Sequence, residues 1–337
     1  MLKQIFLVSL FLGCIVGLPT FIYHSHELDD MNSLTFYNFY VFTQKYGKVY
    51  DNPDEHHLRY NIFAENMEKI SEWNEGDHNF TLAINEYADM TQQEFSNHFL
   101  TLHQLDSNRL KNIVHHNTFS LPDTVDWREK GVVNKIKDQG QCGSCYAFSA
   151  VQAIESAWAI KNGKLFSLAE QEIVDCDKVD SGCNGGLMDN VFNWVIQNGG
   201  LVQTDDYVYH ASENTCKVDK TKSVVQIKSL VDVPAGNSTQ LEAAVAEQPV
   251  SVAINANSYQ FQFYHKGVFD WTGCPNKDSD LDHGVGIVGY GNLNGTNYWI
   301  VRNSWSENWG DSGYILMARG EGVNTCGILD AASYPLV

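Results

Sequence analysis

Cys145 stands in the run Gln139-Gly-Gln-Cys142-Gly-Ser-Cys145-Tyr146, directly ahead of a stretch with helical apolar spacing. A thiol at a helix N-terminus feels the positive end of the backbone dipole, which favours the thiolate, the form that attacks carbonyl carbon. Two other uses of Cys142-x-x-Cys145 fit less well. A structural zinc site needs a second ligand pair at proper spacing, and none is present. A dithiol redox pair would follow the first strand of a thioredoxin-like pattern, and the upstream strand signal is missing. The candidate base, His283, comes 138 residues later in Leu-Asp-His-Gly, where a strand pattern opens. Asn303, 158 residues after Cys145, closes another strand pattern in Val-Arg-Asn-Ser-Trp305. A histidine alone at a strand end is ordinarily structural. Matched with an activated cysteine and an amide, it suits nucleophilic attack on a carbonyl.

Positioning such groups requires a helix behind the cysteine and strands behind the other two. Ala147, Phe148, Val151, Ile154, Ala157 and Trp158 form an apolar stripe over residues 145–160, which Gly163 stops. Ser167 with Glu170 predicts a capping box and a second helix to about Cys176. A third, about 187–198, ends at Gly199–Gly200. From about residue 226 the period shifts to strands at 229–233, 250–255, 284–290, 298–303 and 314–318. Helices first and strands later predict an α+β body of two segregated lobes, with a cleft between them.

Upstream, residues 33–75 read as helical, with Leu34, Phe36, Tyr37, Tyr40 and Val41 at turn spacing. A second helix starts at Pro53, and Glu55, Arg59, Phe63, Asn66, Ile70 and Asn74 share one of its faces. Polar and charged residues among apolar ones on a single face predict a docking surface with fixed ion pairs. Residues 79–89 alternate like a short strand, and residues 97–120 read as an extended, protease-accessible linker.

The chain has 337 residues and a formal charge of −19. Residues 1–120 hold 7 Lys and Arg against 15 Asp and Glu, and residues 121–337 hold 15 against 26. Neither half offers the basic patch that nucleic acid or an anionic membrane would need. Ile5–Leu18 is too short to span a bilayer and predicts a signal peptide over residues 1–18; no later stretch predicts a membrane helix. Seven cysteines then remain, so one thiol is spared if the others pair, and spacing alone cannot choose among 15 pairings. Asn79, Asn237 and Asn294 are glycan acceptors if the host glycosylates.

From about Leu121 onward the chain resembles the papain-family cysteine peptidases, cathepsin L in particular. The resemblance rests on Val-Asp-Trp-Arg-Glu-Lys-Gly at 125–131, Asp-Gln-Gly-Gln-Cys-Gly-Ser-Cys, Gly-Cys-Asn-Gly-Gly-Leu-Met at 182–188, Asp-His-Gly-Val, Asn-Ser-Trp and Ala-Ala-Ser-Tyr-Pro at 331–335. The face from Glu55 to Asn74 is similar to the family's inhibitory-propeptide pattern, with Asn85, Tyr87 and Asp89 resembling its second motif. The resemblance implies a papain-like fold, a helical lobe plus a β-barrel-like lobe (121–337), behind a helical propeptide (19–120). It implies a zymogen of a cysteine endopeptidase, with Cys145 as nucleophile, His283 as base, Asn303 orienting the imidazole under Trp305, and Gln139 in the oxyanion hole. Disulfides Cys142–Cys183, Cys176–Cys216 and Cys274–Cys326 follow from it, leaving Cys145 free.

Leu187, Met188, Ala253, Leu281, Gly284 and Leu329 are the implied pocket for the side chain two residues before the cut, which predicts aliphatic preference. Tyr146 stands where relatives mostly have Trp, and Ser306 where they mostly have Gly. No loop that would block one end of the cleft is evident, which favours endopeptidase action. Protein and peptide substrates, the chain's own propeptide as inhibitor, a monomer and a lysosomal or extracellular destination are expected, with no cofactor or metal. Nine of the 12 histidines lie in residues 1–120, which suggests that acidification loosens the propeptide through its own packing; carboxylate protonation is the alternative. An inactive binding protein on the same scaffold would normally have lost one of the three groups, and all are present. A transglutaminase or glutaminase would not explain a propeptide and six pairable cysteines.

Overall fold

The computed structural model describes residues 30–105 and 112–337. The expected signal peptide, with His24 and His26, lies outside them. Helix α1 (Asp30–Tyr46) packs on α2 (Pro53–Glu75) through Phe39, Phe42 and Phe63, all buried. The α2 helix starts as its sequence demands: the Asn52 side chain accepts from the Glu55 N–H, and Pro53 supplies a fixed φ for the first turn. The helix expected at α1 forms, but the residues at turn spacing do not face inward. Leu34, Phe36, Tyr37, Tyr40 and Val41 are exposed, and Phe39 and Phe42 point inward. Residues 36–42 are apolar almost all round, so period alone could not select the face; stacking on Phe63, Tyr50 and Tyr60 does.

Past α2 the chain forms a three-residue strand, β1 (Phe80–Leu82), and the helix α3 (Gln92–Phe99). Thr91 and Glu94 cap α3 reciprocally. The alternation expected to run to Asp89 breaks after Leu82, because Asn85 accepts from the Tyr87 N–H and Asp89 is held by Lys48 and Tyr50.

The second unit opens with β2 (Val125–Asp126) and the helices α4 (Cys145–Asn162), α5 (Glu170–Cys176) and α6 (Met188–Asn198). Gly163 (φ +70°) and Gly199 (φ +79°) end α4 and α6 in the left-handed conformation that glycine adopts without strain. The predicted capping box on α5 does not form. Ser167 pairs with Thr204, and Glu170 is bound by Lys137 instead. Strands follow: β3 (Ser229–Asp232), β4 (Val250–Ile254), β5 (Tyr264–Phe269), β6 (His283–Leu293), β7 (Thr296–Arg302), β8 (Tyr314–Gly320), β9 (Val323–Asn324) and β10 (Ala332–Leu336), with helix α7 (Ser238–Glu247) between β3 and β4. Their order is β1-β5-β8-β7-β6-β4-β10-β3, with β2 joined to β6 and β9 to β8. The sequence pattern missed α7, β5 and β10.

Two cores result. One lies under the sheet and takes in Phe63, Phe80 and Tyr87 from the upstream unit; the other joins α4 and α6. This is the expected α+β arrangement, with a helical lobe and a sheet lobe behind a helical upstream unit.

Candidate active site

Cys145 is the first residue of α4, whose residues 145–157 are all buried. What lets so large a helix settle on the sheet is glycine on β6. A Cβ on Gly286 would overlap the Gln152 amide, and one on Gly284 would press on Met188 Sδ at 3.0 Å and on the Cys145 carbonyl at 3.3 Å. Ser149 Oγ donates to the Val285 carbonyl (2.6 Å), and Ser251 Oγ donates to the Ser149 carbonyl (2.8 Å), tying α4 to β6 and β4. The thiol therefore lies beside the strand that begins at His283, and the Gly284 N–H bears on its sulfur.

His283 and Asn303 meet because β6 and β7 pair antiparallel, Gly286 opposite Arg302. His283 Nε2 lies 2.8 Å from Asn303 Oδ1. The amide oxygen only accepts, so Nε2 carries the proton, and the neutral ring keeps its lone pair on Nδ1. That nitrogen is buried and makes no hydrogen bond among the described residues. Trp305 lies nearly parallel to the imidazole, 4.5 Å away, walling the pair from solvent. Gln139 is fixed at three points. Its N–H donates to the Ser304 carbonyl, its Nε2 to the Cys142 carbonyl (3.0 Å), and its Oε1 accepts from Ser304 Oγ (2.7 Å).

A segment expected to be an accessible linker covers this centre. Thr101 Oγ1 donates to the Gly143 carbonyl (2.9 Å), the Thr101 N–H bears on the Cys145 sulfur, Leu102 N–H donates to Asp282 O (3.0 Å), and His103 N–H donates to Gly186 O (3.2 Å). Gly185, at φ +109°, leaves room for the Thr101 carbonyl, which a Cβ would displace. Leu102 is buried in one cluster with Met188, Ala253 and Leu281, and Leu187 packs against it. Gly284 adjoins Met188. Leu329 belongs to the sheet-side core instead, while Ala331, missed in the sequence, joins the cluster with Leu102. The linker reading failed because Leu100, Leu102 and Leu105, scattered among polar residues, set no sustained period that would mark them as buried.

Covering the thiol changes its chemistry. Burial pushes Cys145 up to about 11 against the backbone N–H groups of Gly284, Thr101 and Tyr146, and it lowers His283 to about 4 against its bond to Asn303. In this covered state burial therefore favours the neutral thiol over the thiolate expected from the helix dipole. Cys142–Cys183, Cys176–Cys216 and Cys274–Cys326 are bonded as expected, and Cys145 is the free cysteine among the described residues. Tyr146 is buried and donates to the Gly182 carbonyl (3.0 Å). Ser306, at φ +60°, donates through Oγ to Glu86 Oε1 of the upstream unit (2.7 Å).

Residues 121–336 match the papain family cysteine protease model, and residues 39–95 match the cathepsin propeptide inhibitor domain. The chain belongs to the papain family. It is a cysteine protease that carries an inhibitory propeptide. Vignain from Vigna mungo is 42% identical over 350 residues, 99% of this chain and 94% of vignain. The thiol protease SEN102 from Hemerocallis is 45% identical over 325 residues, 92% and 89% of the two chains. Among solved structures, a recombinant stem bromelain precursor superposes with a TM-score of 0.83 at 36% identity, covering 90% of this chain and 99% of that one. A digestive procathepsin L 3 from Tenebrio molitor larval midgut gives 0.83 at 37%, with the same coverage. In this papain-family precursor the propeptide motif is an internal lock. Arg59 reaches Glu55, Glu94 and the Asp89 carbonyl, Asn66 donates to the Ala88 and Met90 carbonyls, and Asn74 brackets Leu82. Asn85 then donates to the Gln262 carbonyl (2.7 Å), and Tyr87 packs edge-on against Trp305, which fastens the lock to the protease unit.

Proposed function

We propose that this protein is a cysteine endopeptidase held inactive until residues up to about 120 are removed. Cys145 attacks the peptide carbonyl, and His283 Nδ1 takes the thiol proton and delivers it to the leaving amine. A water deprotonated by Nδ1 then displaces the acyl group from Cys145 Sγ, which regains the proton, while Asn303 holds the ring through Nε2–H. The second N–H of Gln139 Nε2, with the Cys145 backbone N–H, steadies the oxyanion. The observation that carries this reading is the seating of Thr101 on the Gly143 carbonyl, two residues before Cys145, with Leu102 in the apolar cluster beside it. If that cluster takes the side chain two residues before the cut, a substrate enters it with a residue N-terminal to the attacked carbonyl. The propeptide enters it with a residue C-terminal to Thr101, so its chain runs backwards and presents no productive bond. Leu187, Met188, Ala253, Leu281 and Gly284 favour aliphatic side chains there; a peptide library with strong Arg selection would sink that specificity.

Both expected routes of acid activation have structural candidates: His116 lies against Tyr334 and Glu247 and His78 stacks on Trp73, while among the carboxylates Glu94 is engaged by Arg59. Glu94 is held below the usual range by Arg59 and by its cap bonds to Thr91, against the pull of burial. A secretory route ending in a lysosome-like compartment or outside the cell suits the three disulfides. Among the glycan acceptors, Asn294 sits at an exposed turn.

The test is to express the full chain, shift it to acidic pH with reductant, and add a thiol-reactive epoxide. Label on Cys145 in a product beginning near residue 121 is the expected result. A processed, folded chain with neither label nor peptidase activity overturns the reading.

A further inference from the structure

Residues 112–116 follow the cleft-covering segment by only about nine residues along the chain and reach the protease unit at a separate place, the outer edge of β3. Asp232 N–H donates to the Asn112 carbonyl (3.1 Å), Val114 N–H donates to the Asp232 carbonyl (3.4 Å), and the Asp232 carboxylate accepts from the Asn112 N–H (2.8 Å). Ile113 pairs in parallel with Asp232, so this piece of propeptide extends the sheet by a short strand. The readout then becomes specific. Gln240 on α7 accepts the His116 N–H on Oε1 (2.7 Å) and donates from Nε2 to the His116 carbonyl (3.1 Å), clamping the backbone as a neighbouring strand would. The His116 side chain is only 3% exposed, with Nε2 3.1 Å from Tyr334 Oη and Nδ1 3.3 Å from Glu247 Oε1. One neutral tautomer satisfies both partners: Tyr334 O–H donates to Nε2, and Nδ1–H donates to the Glu247 carboxylate. His115, one residue earlier, is exposed and takes no part.

Every protein group in this arrangement except the ligand itself lies in the part that survives maturation. A strap needed only as a tether would be satisfied by backbone pairing. The imidazole socket adds recognition of one side-chain type, built from an acceptor carboxylate, a buried tyrosine hydroxyl and an amide clamp. We propose that the Gln240–Glu247–Tyr334 socket with the β3 edge is a second peptide-binding site of the protease, distinct from the cleft. It recognises an extended segment by a single histidine. Its occupant is the segment of residues 112–116, in place in the precursor and bound as a separate peptide once the strap is loosened.

The test uses the full chain, so it is independent of processing. Cys145→Ala prevents self-cleavage, and Ile113→Gly, Val114→Gly and His116→Gly together loosen the strap. The probe is a fluorescent peptide with the sequence of residues 112–119. We expect saturable binding below about 1 mM. Binding should be at least about tenfold weaker for a peptide with alanine in place of its second histidine, for a chain also carrying Gln240→Ala, and for the chain with an intact strap. Replacing the first histidine of the peptide should change nothing. Amide hydrogen exchange on the strap-intact chain gives a second readout, with His116 protected and Gln240→Ala releasing that protection. Matching thermal melts verify that the variants are folded. Absent saturable binding, or binding indifferent to the second histidine or to Gln240, overturns the proposal.

Discussion

Gln139 shows how tightly single groups are fixed around Cys145. With its oxygen committed to Ser304 and one N–H to Cys142, its amide has a single orientation in which to offer the other N–H. In the processed enzyme, Gln139→Ala should lower kcat on the order of 10²–10³-fold with little change in KM, as steady-state hydrolysis of a small peptide would show. The thiol and imidazole make a second prediction. A raised thiol and a lowered imidazole both favour the uncharged forms, so between about 4 and about 11 the covered pair stays neutral. Ultraviolet absorbance referenced to Cys145→Ala should therefore show no thiolate at pH 7 in the uncut chain and a clear signal after cleavage. A thiolate already present before cleavage would contradict the desolvation account. The place of Cys145 at the head of α4 and the pairing of His283 with Asn303 were legible in the sequence, because each stands beside a recognisable element. The neutral state of thiol and imidazole was not legible, since it depends on which distant segment lies over them.

Elements divide in the same way. The α4, α6, β6 and β7 spans were readable from period and glycine stops, whereas the inward face of α1 and the cap of α5 were decided by partners remote in sequence. The segment after α3 is the clearest case. Leu102 is its buried leucine, flanked by the partly buried Leu100 and Leu105, and replacing it with alanine leaves a void in the cluster that holds Met188, Ala253 and Leu281. A void of that kind costs about 2–5 kcal/mol in a closed core. Leu102→Ala should accordingly speed self-processing at fixed acidic pH by at least about tenfold, measured by gel or mass spectrometry. At the start of α3, Glu94 caps the helix and binds Arg59. Its carboxyl is depressed when folded, so its contribution is present above about 4.5 and is lost as pH falls through the lower folded value. Glu94→Gln should cost about 1 kcal/mol at neutral pH and flatten the fall in melting temperature below about pH 4.5. An unchanged pH profile would remove Glu94 from the activation trigger.

Across the whole molecule, charge and contact pull in different directions. The two halves carry net charges of −8 and −11, so their bulk fields repel, and the propeptide is held by apolar surface and directed hydrogen bonds. Raising the salt concentration to about 0.5 M should screen that repulsion. At pH 7, where those formal charges apply, the melting temperature of the uncut chain should therefore rise or stay unchanged, and a fall would mean that a cross-unit ion pair dominates. Segments upstream of residue 121 also occupy both ends of the sheet, β1 on β5 and residues 112–114 on β3. Removing them turns two rows of unpaired backbone groups outward, the surface on which separate molecules add strand to strand. The released enzyme should therefore begin to self-associate at concentrations the precursor tolerates, so the uncut chain is also the form of this protein that can be stored crowded.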